Sequence, residues 1–154
     1  MGEGSVTEVY FYHLERRSLD EVLPTLLELS LKRGWRAAVQ AASEERVEAI
    51  NTLLWTYREE SFLPHGSARD GRPSFHPIYL TAGDDNPNEA HVRFLVDGAI
   101  LADASPYVRV AYVFDGRDQD AVASARAAWR AAKAEGFAVS YWQQDADGRW
   151  QQKA

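Results

Sequence analysis

Apolar side chains dominate residues 6–14, VTEVYFYHL, where β-branched and aromatic residues run with almost no polar interruption after Glu8. Such a run fits a strand buried on both faces, so it predicts a central strand. The period then changes. Ser18 and Glu21 make an S-x-x-E capping box, Leu23, Leu26, Leu27 and Leu31 follow at helical spacing, and Gly34 stands as the stop. Pro24 predicts an irregular first turn in this helix. Residues 35–42, WRAAVQAA, form a weaker strand pattern. Ser43 then caps a second helix running to about Tyr57, in which Val47, Ile50, Leu54 and Tyr57 make one coherent core stripe.

Residues 61–74 turn to Gly, Pro, Ser and charge and show neither a helical nor a strand period, which predicts a long loop. Strand patterns resume at residues 77–80, 91–98 and 107–115. An amphipathic helix follows over residues 118–135, and Gly136 leads into a last strand at 137–142. Strands alternating with helices predict an α/β domain of three layers, a mostly parallel twisted sheet with helices on both faces. The domain is expected to span residues 1–143, with 144–154 as a C-terminal extension that carries no assigned role.

The chain has 154 residues, 45% hydrophobic and 26% charged, which suits one globular domain with a single sizeable core. A formal net charge of −6 repels nucleic acid, so any DNA role calls for an intermediary. The chain contains no cysteine, hence no disulfide framework or thiolate metal site. The N-terminal stretch lacks a charged lead and no apolar run reaches about 18 residues, so neither a signal peptide nor a membrane span is supported and a cytoplasmic location is expected.

Candidate chemistry is thin. Asp84, Asp85, Asp97 and Asp115 fall just after predicted strands, where a doubly wound sheet binds its ligands. They read either as a Mg²⁺ site for phosphoryl transfer or as ordinary turn formers. No G-x-G-x-x-G, Walker loop or G-x-S-x-G elbow is present, and His13, His65, His76 and His91 lack metal spacing. His65, directly after Pro64, is expected to hydrogen-bond the loop backbone.

Two constellations stand out. Trp55 lies about 120° from the core stripe of the second helix. It precedes Phe62, Leu63 and Pro64, an aromatic, an aliphatic and a proline side by side in a predicted loop. These residues either fold back over Trp55 as a satellite cluster or display an apolar patch to a protein partner. On the last helix Arg126, Arg130 and Lys133 share one stripe edged by Trp129. That stripe either complements the helix macrodipole or grips an acidic peptide. Direct DNA binding is disfavoured, since three cations make a weak phosphate track and no aromatic-studded sheet face is evident.

Through "YFYHL", "LLWTYREESFLPHG" and "ARAAWRAAKAEGF", nearly the whole chain resembles the chi subunit family of the bacterial DNA polymerase III clamp-loader assembly, with "LWTYREESFLPH" as the most specific stretch. The resemblance implies a nucleotide-fold-like adaptor with no catalytic site and no cofactor. Its implied partners are the psi subunit, which tethers chi to the clamp loader, and the acidic C-terminal tail of single-stranded-DNA-binding protein. A helicase shared by some family members is a further one. Carried over by position, Trp55 and Phe62, with Leu63 and Pro64 beside them, contact psi, while Arg126, Trp129 and Arg130, joined on the stripe by Lys133, hold the tail. Trp129 stands where a tyrosine is found in the best-known member, and the turn at Phe114 and Asp115 lies near the same pocket in the family. The runner-up remains a metal-dependent phosphoryl-transfer enzyme using the strand-end aspartates.

Overall fold

The computed structural model describes residues 6–56 and 63–154. In chain order the elements are β1 (Glu8–Leu14), α1 (Leu19–Lys32), β2 (Ala37–Gln40), α2 (Glu44–Thr56), β3 (His65–Ser67), β4 (Ile78–Thr81), β5 (Val92–Leu95), β6 (Arg109–Asp115), α3 (Gln119–Ala134), β7 (Ala138–Gln144) and β8 (Trp150–Gln152). The strands form one sheet in the order β3-β4-β2-β5-β6-β1-β7-β8. Every neighbouring pair is parallel except β7 with β8.

Strand alternation sorts the core into two layers. Tyr12 and Leu14 of β1 join Val39, Phe94 and the leucines of α1 in the principal cluster, together with Val47, Ile50 and Leu54 of α2. Val9 and Phe11, pointing the other way, pack under Ala125 and Ala132 of α3. Helices α1 and α2 therefore cover one face and α3 the other, the three-layer arrangement expected from the alternating pattern.

Local chemistry explains where the helices begin. Ser18 accepts the backbone N–H of Glu21 at 3.3 Å while the Glu21 carboxylate accepts the N–H of Ser18 at 3.0 Å, a complete capping box. Asp118 caps α3 by accepting the N–H groups of Asp120 and Ala121 at 2.9 and 3.3 Å. Pro24 does not disturb α1, contrary to the expectation of an irregular turn. The residue that loses its donor is Asp20, in the exposed first turn, while the Pro24 ring is buried.

Two other expectations are corrected. The predicted patternless loop of residues 61–74 contains β3, which pairs in parallel with β4, and single 3₁₀ turns at Ala68–Asp70 and Pro73–Phe75. What organises it is tertiary: the His76 ring occupies the space a Cβ on Gly66 would need, and its Nε2 pairs with the Gly71 carbonyl at 3.0 Å. The C-terminal stretch also has a place, since β8 closes the sheet as its antiparallel edge. Trp150 packs edge-on against Tyr12 at 4.7 Å between centroids.

Candidate interaction surfaces

Trp55 is held at the end of α2 by the stripe beneath it. Val47, Ile50 and Leu54 are at most 2% exposed, whereas Trp55 is 56% exposed. Its ring meets that of His65 edge-on at 5.2 Å. His65 is itself fixed through Nδ1, 2.5 Å from the Leu63 carbonyl, so it bonds the loop backbone as its place after Pro64 suggested. Phe62, and Tyr57 of the expected stripe, lie outside the described residues. Leu63 requires a correction, because it is 4% exposed and belongs to the principal core, not to the displayed patch. The chain entering β3 turns this side chain inward as an anchor, which periodicity in a supposed loop could not reveal. Pro64 is half-buried.

Sequence reasoning missed Phe75, which is 69% exposed. It ends the turn leading into β4, whose first residue, Ile78, is the register partner of His65. It thus presents an aromatic at the same amino-terminal end of the sheet as Trp55. A lone Phe in a Pro/Ser/Gly-rich segment gave no periodic signal.

On α3, Arg126, Arg130 and Lys133 are exposed, and among the described residues none of them forms an ion pair. Trp129 is half-buried, edge-on to Phe11 at 5.4 Å and to Tyr141 at 6.1 Å, with the Lys133 ammonium 5.6 Å from its centroid. Tyr141 hydrogen-bonds Nδ1 of His13 and packs near Phe114 at 6.2 Å between centroids. Burial pushes the Tyr141 phenol up, and Arg126 pulls in the opposite direction. The macrodipole accounts for Lys133 in the last turn but not for Arg126 midway along the helix, because that field fades within one turn of the terminus. An aromatic wall beside guanidinium groups that form no ion pair among the described residues suits a carboxylate-bearing peptide.

The strand-end aspartates do not converge. The Asp85 carboxylate accepts from Tyr79 at 2.6 Å and Thr81 at 2.5 Å. Asp97 takes a two-pronged contact from Arg46 at 2.8 and 3.3 Å, and Asp115 accepts from the Arg117 backbone at 2.9 Å. Burial pushes Asp85 up, but the hydrogen bonds from Thr81 and Tyr79 outweigh it and leave the carboxyl below its ordinary value. No group of three His, Asp or Glu side chains among the described residues is placed to hold a metal ion. The crevice position is occupied in part by a histidine. β1 sends its crossover over one face to β2 and β6 sends its own over the other to β7, so the sheet's switch point falls between β1 and β6. There the His13 ring lies where a Cβ on Gly116 would sit, and Nε2 reaches Glu15 at 2.9 Å.

Arg93 is wholly buried yet offers nothing to a ligand. Its donors reach Gln40 Oε1 at 3.0 and 2.8 Å, the Gly83 and Asp85 carbonyls at 2.6 and 2.8 Å, and the Tyr107 hydroxyl at 3.1 Å. It is a clamp on the loops above β5. An aromatic sheet face, which the sequence reading did not find, does exist beside α1. Tyr10 stacks on Trp142 at 5.3 Å, and the Arg109 guanidinium, held by Glu8 at 2.8 Å, lies 3.9 Å from the Tyr10 centroid. These rings occupy one another's faces. Their common side emerges only once β7 is in register with β1.

In this α/β domain the buried arginine is satisfied, and the exposed aromatics and cations sit on separate elements. The chain belongs to the DNA polymerase III chi subunit family, since the family model described as "DNA polymerase III chi subunit, HolC" matches residues 6–140. It is similar to a probable DNA polymerase III subunit chi of Rickettsia prowazekii (strain Madrid E), with 29% identity over 102 residues covering 64% of this chain. The match spans 62% of that relative's own length, less than two thirds.

Proposed function

We propose that the chain is a non-catalytic adaptor in DNA replication, joining the psi subunit, and through it the clamp loader, to the acidic C-terminal tail of single-stranded-DNA-binding protein. The observation that carries this reading is the pair of separated surfaces. Trp55 is 56% exposed at the end of α2, and Arg126 and Arg130 stand without ion pairs among the described residues on α3, across the sheet. A half-exposed tryptophan is the kind of anchor that supplies a hot spot. Psi is assigned to Trp55, Phe62 and Pro64, with Leu63 anchoring that segment from inside the core. The tail is assigned to Arg126, Trp129, Arg130 and Lys133.

The test is reciprocal. Trp55→Ala is expected to abolish co-purification with psi while leaving tail-peptide affinity within twofold of about unchanged. Arg126→Ala is expected to do the reverse. Loss of both partners, or of neither, in the two variants overturns the assignment.

A further inference from the structure

A cavity of about 780 Å³ lies on the α3 face and opens at the strand-end crevice, where Leu14, Ser18 and Asp115 line it. Its origin is topological. Parallel strands are usually joined by a covering helix, but the crossover from β5 to β6 is made by residues 96–108 without one. Those residues cover Leu95 and Ala38, α3 covers Val9 and Phe11, and Tyr112 on β6 is left partly buried at the border of both clusters. The slot therefore runs over β6 where another helix would complete the layer.

The walls are shaped to admit a helix. Ala121, Ser124, Ala128 and Ala131 line the α3 side at spacings of one apolar stripe. Their small side chains permit an approach of about 8–10 Å between helix axes. From Ala121 to Ala132 the lined length is about 16 Å, three helical turns. Ile100 stands on the opposite wall, 82% exposed. Charge on the rim leans acidic, since Asp97 and Asp115 are paired with Arg46 and Arg117 and leave Asp118, Asp120 and Glu135 against Arg17. Helix α3 thus separates two electrostatic regimes, a cationic stripe with Trp129 on one flank and an apolar slot with an acidic rim on the other.

We infer that this slot docks an amphipathic α-helix of a partner protein, one whose apolar stripe is flanked by lysine or arginine. The acidic rim selects against an acidic peptide and, at net charge −6, against a second copy of this chain.

The probe is a synthetic helical peptide of about 15 residues with a leucine–alanine stripe and lysine flanks, paired with a glutamate-flanked counterpart. Both are titrated into the full chain by fluorescence anisotropy. The lysine peptide is expected to bind saturably in the micromolar range, with affinity reduced at least about tenfold by Ser124→Trp, which fills the slot, and by Ile100→Asp on the other wall. Both positions are exposed, so melting temperatures should hold, and Arg130→Ala should leave binding unchanged. The inference is overturned by equal binding of the glutamate peptide, by binding that survives Ser124→Trp, by dependence on Arg130, or by no saturable binding. It is equally overturned if sedimentation shows a dimer of this chain that Ser124→Trp dissolves. None of these outcomes depends on the psi or tail assignments.

Discussion

Replacing Arg126 or Arg130 with alanine is the most direct perturbation of the cationic stripe, and its size can be worked from the structure. The two residues lie one turn apart, about 5–6 Å between Cβ atoms, so both can reach the carboxylates of one peptide. Neither forms an ion pair among the described residues, and both are exposed, so truncation should leave stability within about 0.5 kcal/mol of the wild type. A charge-assisted hydrogen bond contributes about 1.5–3 kcal/mol when well shielded, and solvent exposure lowers this to about 1 kcal/mol. That corresponds to a roughly fivefold loss of affinity for each single variant. Because the pair shares one ligand, the double variant should fall short of the product of the two losses. The assay is anisotropy with a labelled acidic peptide ending in Pro-Phe. Raising salt from about 0.1 to 1 M shortens the screening length from about 10 to 3 Å and should erase most of the difference between wild type and variant. Single-variant affinities within twofold of wild type at low salt, or a loss that persists undiminished at high salt, would refute the reasoning.

Further predictions concern the scaffold. Leu63→Ala, at 4% exposure, should destabilise the fold by about 2–5 kcal/mol in a denaturant melt, whereas Trp55→Ala, truncating a mostly exposed ring, should cost far less; similar costs would contradict their placement. Gly116→Ala should destabilise by about 1–3 kcal/mol because its Cβ displaces the His13 ring, and combining it with His13→Ala should recover much of the loss. Burial pushes the Tyr12 phenol from 10.0 up to about 12, so the unfolded chain loses this proton first as pH rises. Stability should therefore fall between about pH 10 and 12, by up to about 3 kcal/mol from this group, and Tyr12→Phe should flatten that part of the pH–stability curve.

Local order along the chain sufficed for the frame. The unbroken apolar run of β1, the Ser18–Glu21 box and the stripe of α2 are signals carried by neighbouring residues, so the α/β alternation and the helix starts could be read directly. The same arithmetic put Trp55 off its stripe and Arg126, Arg130 and Lys133 on one, because helical phase is itself a local property. Tertiary contact decided the rest. Leu63 turns inward, and β3 exists at all, only because β4 and the His76 ring meet that segment from elsewhere in the chain. The strand-end aspartates look like a metal site until Tyr79, Arg46 and Arg117 claim Asp85, Asp97 and Asp115. His13 packs against a glycine more than a hundred residues away, and the slot beside α3 comes from a helix missing between two strands. Pairings over such separations leave no periodic trace, since their partners are chosen by the packing of the whole sheet and not by spacing along the chain.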